Sequence, residues 1–177
     1  MAGKEFIRAD ALMKDSFTLA KRIYDSGFRP DMLVVLWRGG APVGMAIHEF
    51  LLYKGIRADH TVIKVESYTG IGRRTEPQIE NIAAVLDALK PDSRVLVVDD
   101  ISDSGSTLHC VCECLRTSGA QIRTATLYLK ETGRRIDIVP DYYLRRTDRW
   151  IVFPHELMDL TPDEIREKDA YVAGLLV

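Results

Sequence analysis

Apolar positions along this chain follow two periods that alternate from end to end. Over 10–27 the residues Leu12, Phe17, Ala20, Ile23 and Tyr24 recur close to helical spacing, and Gly27 supplies a stop. The run 32–37 is apolar without a break, as in a strand covered on both faces, and it ends in Arg38-Gly39-Gly40. The same reading predicts helices over 42–53, 78–89 and 105–118, and strands over 60–65, 95–98, 124–129, 142–144 and 150–153. Thr161 followed by Pro162 reads as the cap and first residue of one more helix. The stretch 66–77, with Gly70, Gly72, Arg73 and Arg74, is polar and aperiodic and reads as a long mobile loop. Strands alternating with helices predict an α/β fold: an open, mainly parallel twisted sheet flanked by helices. No repeat or low-complexity stretch divides it, so one domain is expected over 1–177.

Composition narrows the function. A net charge of −2 and a pI near 6.1 lack the basic excess of a protein that coats a duplex, so no nucleic-acid partner is expected. No apolar stretch approaches the ~20 residues needed to span a bilayer, and no membrane is expected. Residues 1–10 carry Lys4, Glu5, Arg8 and Asp10, unlike a signal peptide. Cys110, Cys112 and Cys114 crowd one predicted helix, which is no disulfide framework; a reducing, cytoplasmic setting is expected. Positions 110 and 114 share a helix face and 112 does not, so the three read as packing residues rather than a metal site.

The most informative stretch runs Val95-Leu96-Val97-Val98-Asp99-Asp100-Ile101-Ser102-Asp103-Ser104-Gly105-Ser106-Thr107. A buried strand ends in two acids, passes through a hydroxyl-rich turn and enters a helix. Open α/β sheets bind ligands at the carboxyl ends of their strands. Backbone N–H groups of Ser104, Gly105, Ser106 and Thr107, unpaired at a helix start, point at an anion, and their hydroxyls add donors. Asp99 and Asp100 beside them suit a sugar diol, held directly or through Mg²⁺. The spaced glycines of a dinucleotide site and the Gly-Lys-Ser/Thr of a P-loop are both missing. A plain strand-to-helix turn needs only Asp103 or Ser104 as a cap and leaves the paired acids unexplained.

This segment resembles the phosphoribosyl pyrophosphate (PRPP) signature of type I phosphoribosyltransferases, with Ser104 in place of the usual threonine. The resemblance implies transfer of phosphoribose from PRPP to a nitrogenous base with release of pyrophosphate, Mg²⁺ as cofactor, and a homodimer or homotetramer. Asp103 then corresponds to the acid near N7 of a purine. Trp37, Arg38, Gly39 and Gly40 correspond to the pyrophosphate loop, with a cis peptide near Trp37-Arg38, and Ser67 and Tyr68 to the opening of a loop that closes over the site. Arg73 and Arg74 read first as a solvated basic pair. The resemblance further implies a base-binding hood at about 130–160, in which Lys130 donates to the purine 6-oxo group, Trp150 stacks on the ring and the Ile151 main chain reads its edge. Glu156 falls where some relatives bring a second carboxylate towards Mg²⁺. His155 departs from the tryptophan that xanthine-guanine enzymes tend to have there, which blurs the choice of purine. Hypoxanthine, guanine or xanthine is the expected acceptor; orotate, uracil or adenine, or a regulator on the same fold that senses PRPP or a nucleotide without turnover, are the alternatives.

Overall fold

The computed structural model describes residues 3–66, 69–70, 73–74 and 78–176. In chain order the elements are β1 (Lys4–Phe6), α1 (Ala9–Asp25), β2 (Met32–Trp37), α2 (Gly40–Tyr53), β3 (Asp59–Glu66), β4 (Thr69–Gly70), β5 (Arg73–Arg74), β6 (Gln78–Glu80), α3 (Ile82–Ala88), β7 (Arg94–Val98), β8 (Ile101–Ser102), α4 (Ser106–Arg116), β9 (Gln121–Lys130), β10 (Tyr142–Thr147), β11 (Trp150–Val152), α5 (Pro162–Lys168) and α6 (Ala170–Leu175). The main sheet has the order β10-β9-β7-β2-β3-β6, parallel except for β6, with β8 continuing along β9. An open, mainly parallel α/β sheet is the expected architecture.

The central strands look uniformly apolar, yet their alternation sorts them into two layers. Leu33, Val35, Leu96 and Val98 join a core with Leu12, Leu19 and Ile23 of α1 and Val43, Ile47 and Leu51 of α2. Val34, Leu36, Val95 and Val97 face the other way, onto Val85 of α3 and Leu108, Val111 and Leu115 of α4. Each fully buried Leu or Val contributes roughly 1.5–3 kcal/mol, which is why strands with no polar face are stable here. α1 ends as anticipated, with Gly27 at φ +83. Thr161 and Glu164 form a reciprocal capping box at the head of α5, with Pro162 in the first turn. Among the described residues no helix is long and apolar enough to cross a membrane.

Two expectations fail. The predicted helix over 78–89 is two elements: Gln78–Glu80 pairs antiparallel with Lys64–Glu66, and only Ile82–Ala88 is helical. Asn81, at φ +65, breaks the two apart. Ile79, Ile82, Leu86 and Leu89 all pack on the same core, so their spacing is compatible with one helix although the backbone turns between them. Within the predicted loop, Thr69–Gly70 and Arg73–Arg74 form a two-residue antiparallel pair.

Strand topology creates a crevice. β2 and β7 are neighbours, but the chain leaves β2 through α2 on one face and β7 through α4 on the other. Connections diverging in this way open a gap above the carboxyl ends of the two strands, the general ligand site of open α/β sheets. Arg38-Gly39-Gly40 follows β2 there and Asp99-Asp100 follows β7.

Candidate functional site

The two loops are pressed against each other at that gap. A Cβ on Gly39 would overlap the Asp100 carboxylate, and one on Gly40 would lie 2.5 Å from the Val98 carbonyl oxygen, so only glycines let the loops meet. The Trp37-Arg38 peptide is cis. Past Val98, the Asp100 carbonyl accepts from both Leu127 N (2.9 Å) and Tyr128 N (3.1 Å), and pairing resumes with Ile101 opposite Tyr128 and Ser102 opposite Leu129. Ser102 is buried, and its hydroxyl has no partner among the described residues.

Asp99 and Asp100 form an acidic pair, the first half-buried and the second buried. Asp99 Oδ1 accepts from Asp100 N at 3.0 Å. Burial, reinforced by the neighbouring Asp100 charge, pushes the Asp99 carboxyl well above the usual carboxylate range. Burial first, and then the charge of Glu156, raises Asp100 to about 7. His155 Nε2 stands 3.8 Å from Asp100 Oδ2, its ring stacked on Phe153 at 5.8 Å, and burial lowers its pKa. Glu156 Oε2 is anchored by Phe153 N at 2.9 Å. Among the described residues no three His, Cys, Asp or Glu side chains converge on a closed cation site. Two adjacent carboxylates held above their ordinary pKa suit a cation that keeps most of its shell as water and substrate oxygens, as Mg²⁺ does.

The turn that follows is an open helix start. Gly105 caps α4 at φ +80 with no side-chain cap, so neither Asp103 nor Ser104 acts as the ordinary cap; Ser104 Oγ reaches Ser106 N at 3.3 Å. Ser104, Ser106 and Thr107 thus bring hydroxyls to a helix start whose Ser106 amide is held by Ser104 Oγ and whose other first-turn amides have no helical partner.

Across the crevice, β11 has β1 as its strand neighbour among the described residues, with Lys4 opposite Trp150 and Glu5 opposite Ile151. The second strand of this small sheet comes from the N-terminus, outside the hood boundaries read from the sequence, and Lys4-Glu5-Phe6 is too short to show a period. Ile151 is buried, while Trp150 stays 57% exposed. Lys130 Nζ lies 5.8 Å from the Trp150 ring centroid. Arg38 and Glu156 share a cavity of about 130 Å³ with Trp150. Contacts thus join Gly39 and Gly40 to Asp99 and Asp100, Arg38 to Trp150 and Glu156 around one cavity, and Lys130 to Trp150. Ser67 and Tyr68 lie outside the described residues, as do the side chains of Arg73 and Arg74.

Sequence reasoning missed the approach of His155 to Asp100 and the contribution of Lys4 to the hood. The mismatch at 155 with the family pattern was the one available signal for the first. Cys112 is buried with its thiol pushed up to about 11, and Cys110 and Cys114 are half-buried, in keeping with packing.

Comparison with known proteins agrees with this geometry. Residues 4–159 match the phosphoribosyl transferase domain family. The chain is 32% identical over 155 residues to a xanthine-guanine phosphoribosyltransferase of Cereibacter sphaeroides, covering 84% of each protein. It is 33% identical over 116 residues to a hypoxanthine-guanine phosphoribosyltransferase of Lactococcus lactis, covering 66% of this chain but 60% of that protein. Its structure superposes on a purine phosphoribosyltransferase from Pyrococcus horikoshii with a TM-score of 0.70 at 30% identity, over 89% of this chain and 97% of that one.

Proposed function

Since the chain belongs to the phosphoribosyl transferase family, we propose that it transfers the 5-phosphoribosyl group of PRPP to hypoxanthine, guanine or xanthine, giving the nucleoside 5′-monophosphate and pyrophosphate. The reading is supported above all by Asp99 and Asp100, pressed against the Gly39-Gly40 loop at a strand crevice and followed by the hydroxyl-rich start of α4, together with Lys130 beside an exposed Trp150.

Each part has a role in one displacement. The amides and hydroxyls of Ser104, Gly105, Ser106 and Thr107 hold the 5′-phosphate. Asp99 and Asp100 face the ribose hydroxyls, and with Glu156 they are the residues that would hold Mg²⁺, which when bound offsets charge on the pyrophosphate. Arg38 and the main chain of Gly39 and Gly40 receive the pyrophosphate. Lys130 donates to the purine 6-oxo group, Trp150 stacks on the ring and the Ile151 main chain reads its edge. The C1–oxygen bond to pyrophosphate breaks as the bond from the ring nitrogen to C1 forms, and the proton lost by the base passes to Asp103 near N7. Alignment and charge stabilisation account for most of the rate in a reaction of this kind. Ser67 and Tyr68 open the segment that closes over the site, and the hood spans about 130–160 of a single domain. We place the protein in the cytoplasm as a homodimer or homotetramer, states that light scattering distinguishes.

The decisive experiment is a panel of bases offered with PRPP and Mg²⁺, read as pyrophosphate and nucleoside monophosphate. Formation of IMP, GMP or XMP supports the reading. Turnover of orotate, uracil or adenine alone would overturn the roles of Lys130 and Trp150, and PRPP binding without any product would favour a regulator. Trp150→Ala is expected to raise the KM for the purine about 5- to 150-fold, the equivalent of ~1–3 kcal/mol of stacking, while the KM for PRPP stays unchanged.

A further inference from the structure

The crossover from β9 to β10, residues 131–141, contains no helix and lies directly on the phosphate turn. The Ser104 carbonyl accepts from both Arg135 N (3.0 Å) and Ile136 N (3.1 Å). A Cβ on Gly105 would overlap the Ile136 carbonyl oxygen, so turn and crossover are packed backbone to backbone. In a trans peptide the C=O and the following N–H point in opposite directions. Holding the Ser104 carbonyl back against the crossover therefore aims the Gly105 N–H away from it, outward at the head of α4.

Asp141 ties the end of the crossover to Arg123 and Thr124 of β9, and Arg134 braces the rest of it. Arg134 donates through Nη1 to the Lys130 carbonyl at 3.3 Å and through Nη2 to the Ile138 carbonyl, bridging the two limbs of the loop. Its side chain is only 14% exposed, and its Nε is buried without a partner among the described residues. Asp137, at 3.6 Å, is 95% exposed and is a weak ionic partner, leaving the two carbonyls as the principal anchors. The Lys130 carbonyl belongs to the strand end that faces the base, so the same guanidinium ties the two halves of the site together.

We propose that Arg134 is a positioning residue of the phosphoribosyl site: by bridging the Lys130 and Ile138 carbonyls it fixes the crossover whose Arg135 and Ile136 amides orient the phosphate turn. This rests on the reading of that turn as the 5′-phosphate site. Arg134 touches no substrate and acts through Ser104 and Gly105. Arg134→Met keeps the length of the apolar stem and removes both donors; Arg134→Lys keeps the charge but cannot span both carbonyls. Ribose 5-phosphate binding by titration calorimetry, with separate KM values for PRPP and purine, reads the effect. Both variants should weaken ribose 5-phosphate about tenfold or more and raise the KM for PRPP in step, with the KM for the purine nearly unchanged. Asp137→Asn should leave all three constants alone. Where the methionine variant fails to fold, the lysine variant must still show the selective loss. Wild-type protein that ignores ribose 5-phosphate would overturn the phosphate-turn reading and this proposal with it. Tight binding retained in both Arg134 variants, or an equal rise in both KM values with a parallel fall in Tm, would overturn the proposal alone.

Discussion

Asp103→Asn is expected to lower kcat by about 10²- to 10⁴-fold, the usual range for loss of a general acid or base. The residue is exposed and follows Ser102, where the pairing of β8 with β9 ends opposite Leu129, the neighbour of Lys130. On the proposed reading, a purine whose 6-oxo group meets Lys130 has its N7 near Asp103. Asparagine matches the shape and keeps an oxygen acceptor but cannot take up a proton, so binding survives while proton transfer does not. The KM for PRPP should move by less than about fivefold, under ~1 kcal/mol. Steady-state kinetics at saturating PRPP and purine measure both quantities. A rise in the KM for PRPP with kcat unchanged would assign Asp103 to ribose binding instead, because an interaction lost equally from ground and transition states leaves kcat alone.

What the sequence disclosed here was whatever lies within one stretch of chain. The strand, acids and turn from Val95 to Thr107 are contiguous, so their spacing already specifies a strand end, a free helix start and the chemistry between them. The same holds for Trp37-Arg38-Gly39-Gly40 and for the Thr161 cap. Illegible features depend on partners far along the chain. β1 exists because Lys4, Glu5 and Phe6 find β11, about 145 residues away, and three residues carry no period of their own. The split of 78–89 into β6 and α3 turns on a left-handed Asn81, a conformation that asparagine tolerates but does not announce. His155 comes near Asp100 only because its turn folds back over the sheet, and Arg134 works through backbone carbonyls, which no side-chain pattern can reveal.

Asp100→Asn should make the free protein more stable at neutral pH and disable it at the same time. A carboxyl whose folded pKa is raised contributes stability that is fully present below its unfolded pKa and is lost as pH rises through the folded one. For Asp100 that window runs from the ordinary carboxyl value of 3.8 up to about 7, and burial pushes Asp99 in the same direction. Three pKa units correspond to roughly 4 kcal/mol at most, spread over a pair that titrates together. The substituted amide carries no charge to desolvate, so the variant's Tm should exceed that of the wild type at about pH 8, and the gap should close as pH falls towards about 4. The lowered pKa of His155 acts in the opposite sense, with stability lost as pH falls, but it is present in both proteins and largely cancels in the difference. Ligand reverses the ranking. On the proposed reading the ionised pair is the form that would hold a ribose diol or Mg²⁺, so PRPP with Mg²⁺ should stabilise the wild type increasingly as pH rises through about 7 and stabilise Asp100→Asn hardly at all. Calorimetric melts across that pH range, with and without PRPP and Mg²⁺, test both halves. A variant less stable than the wild type at high pH would mean that Asp100 is already compensated in the free protein, and the acidic pair would then be a structural feature rather than stability surrendered to a binding site.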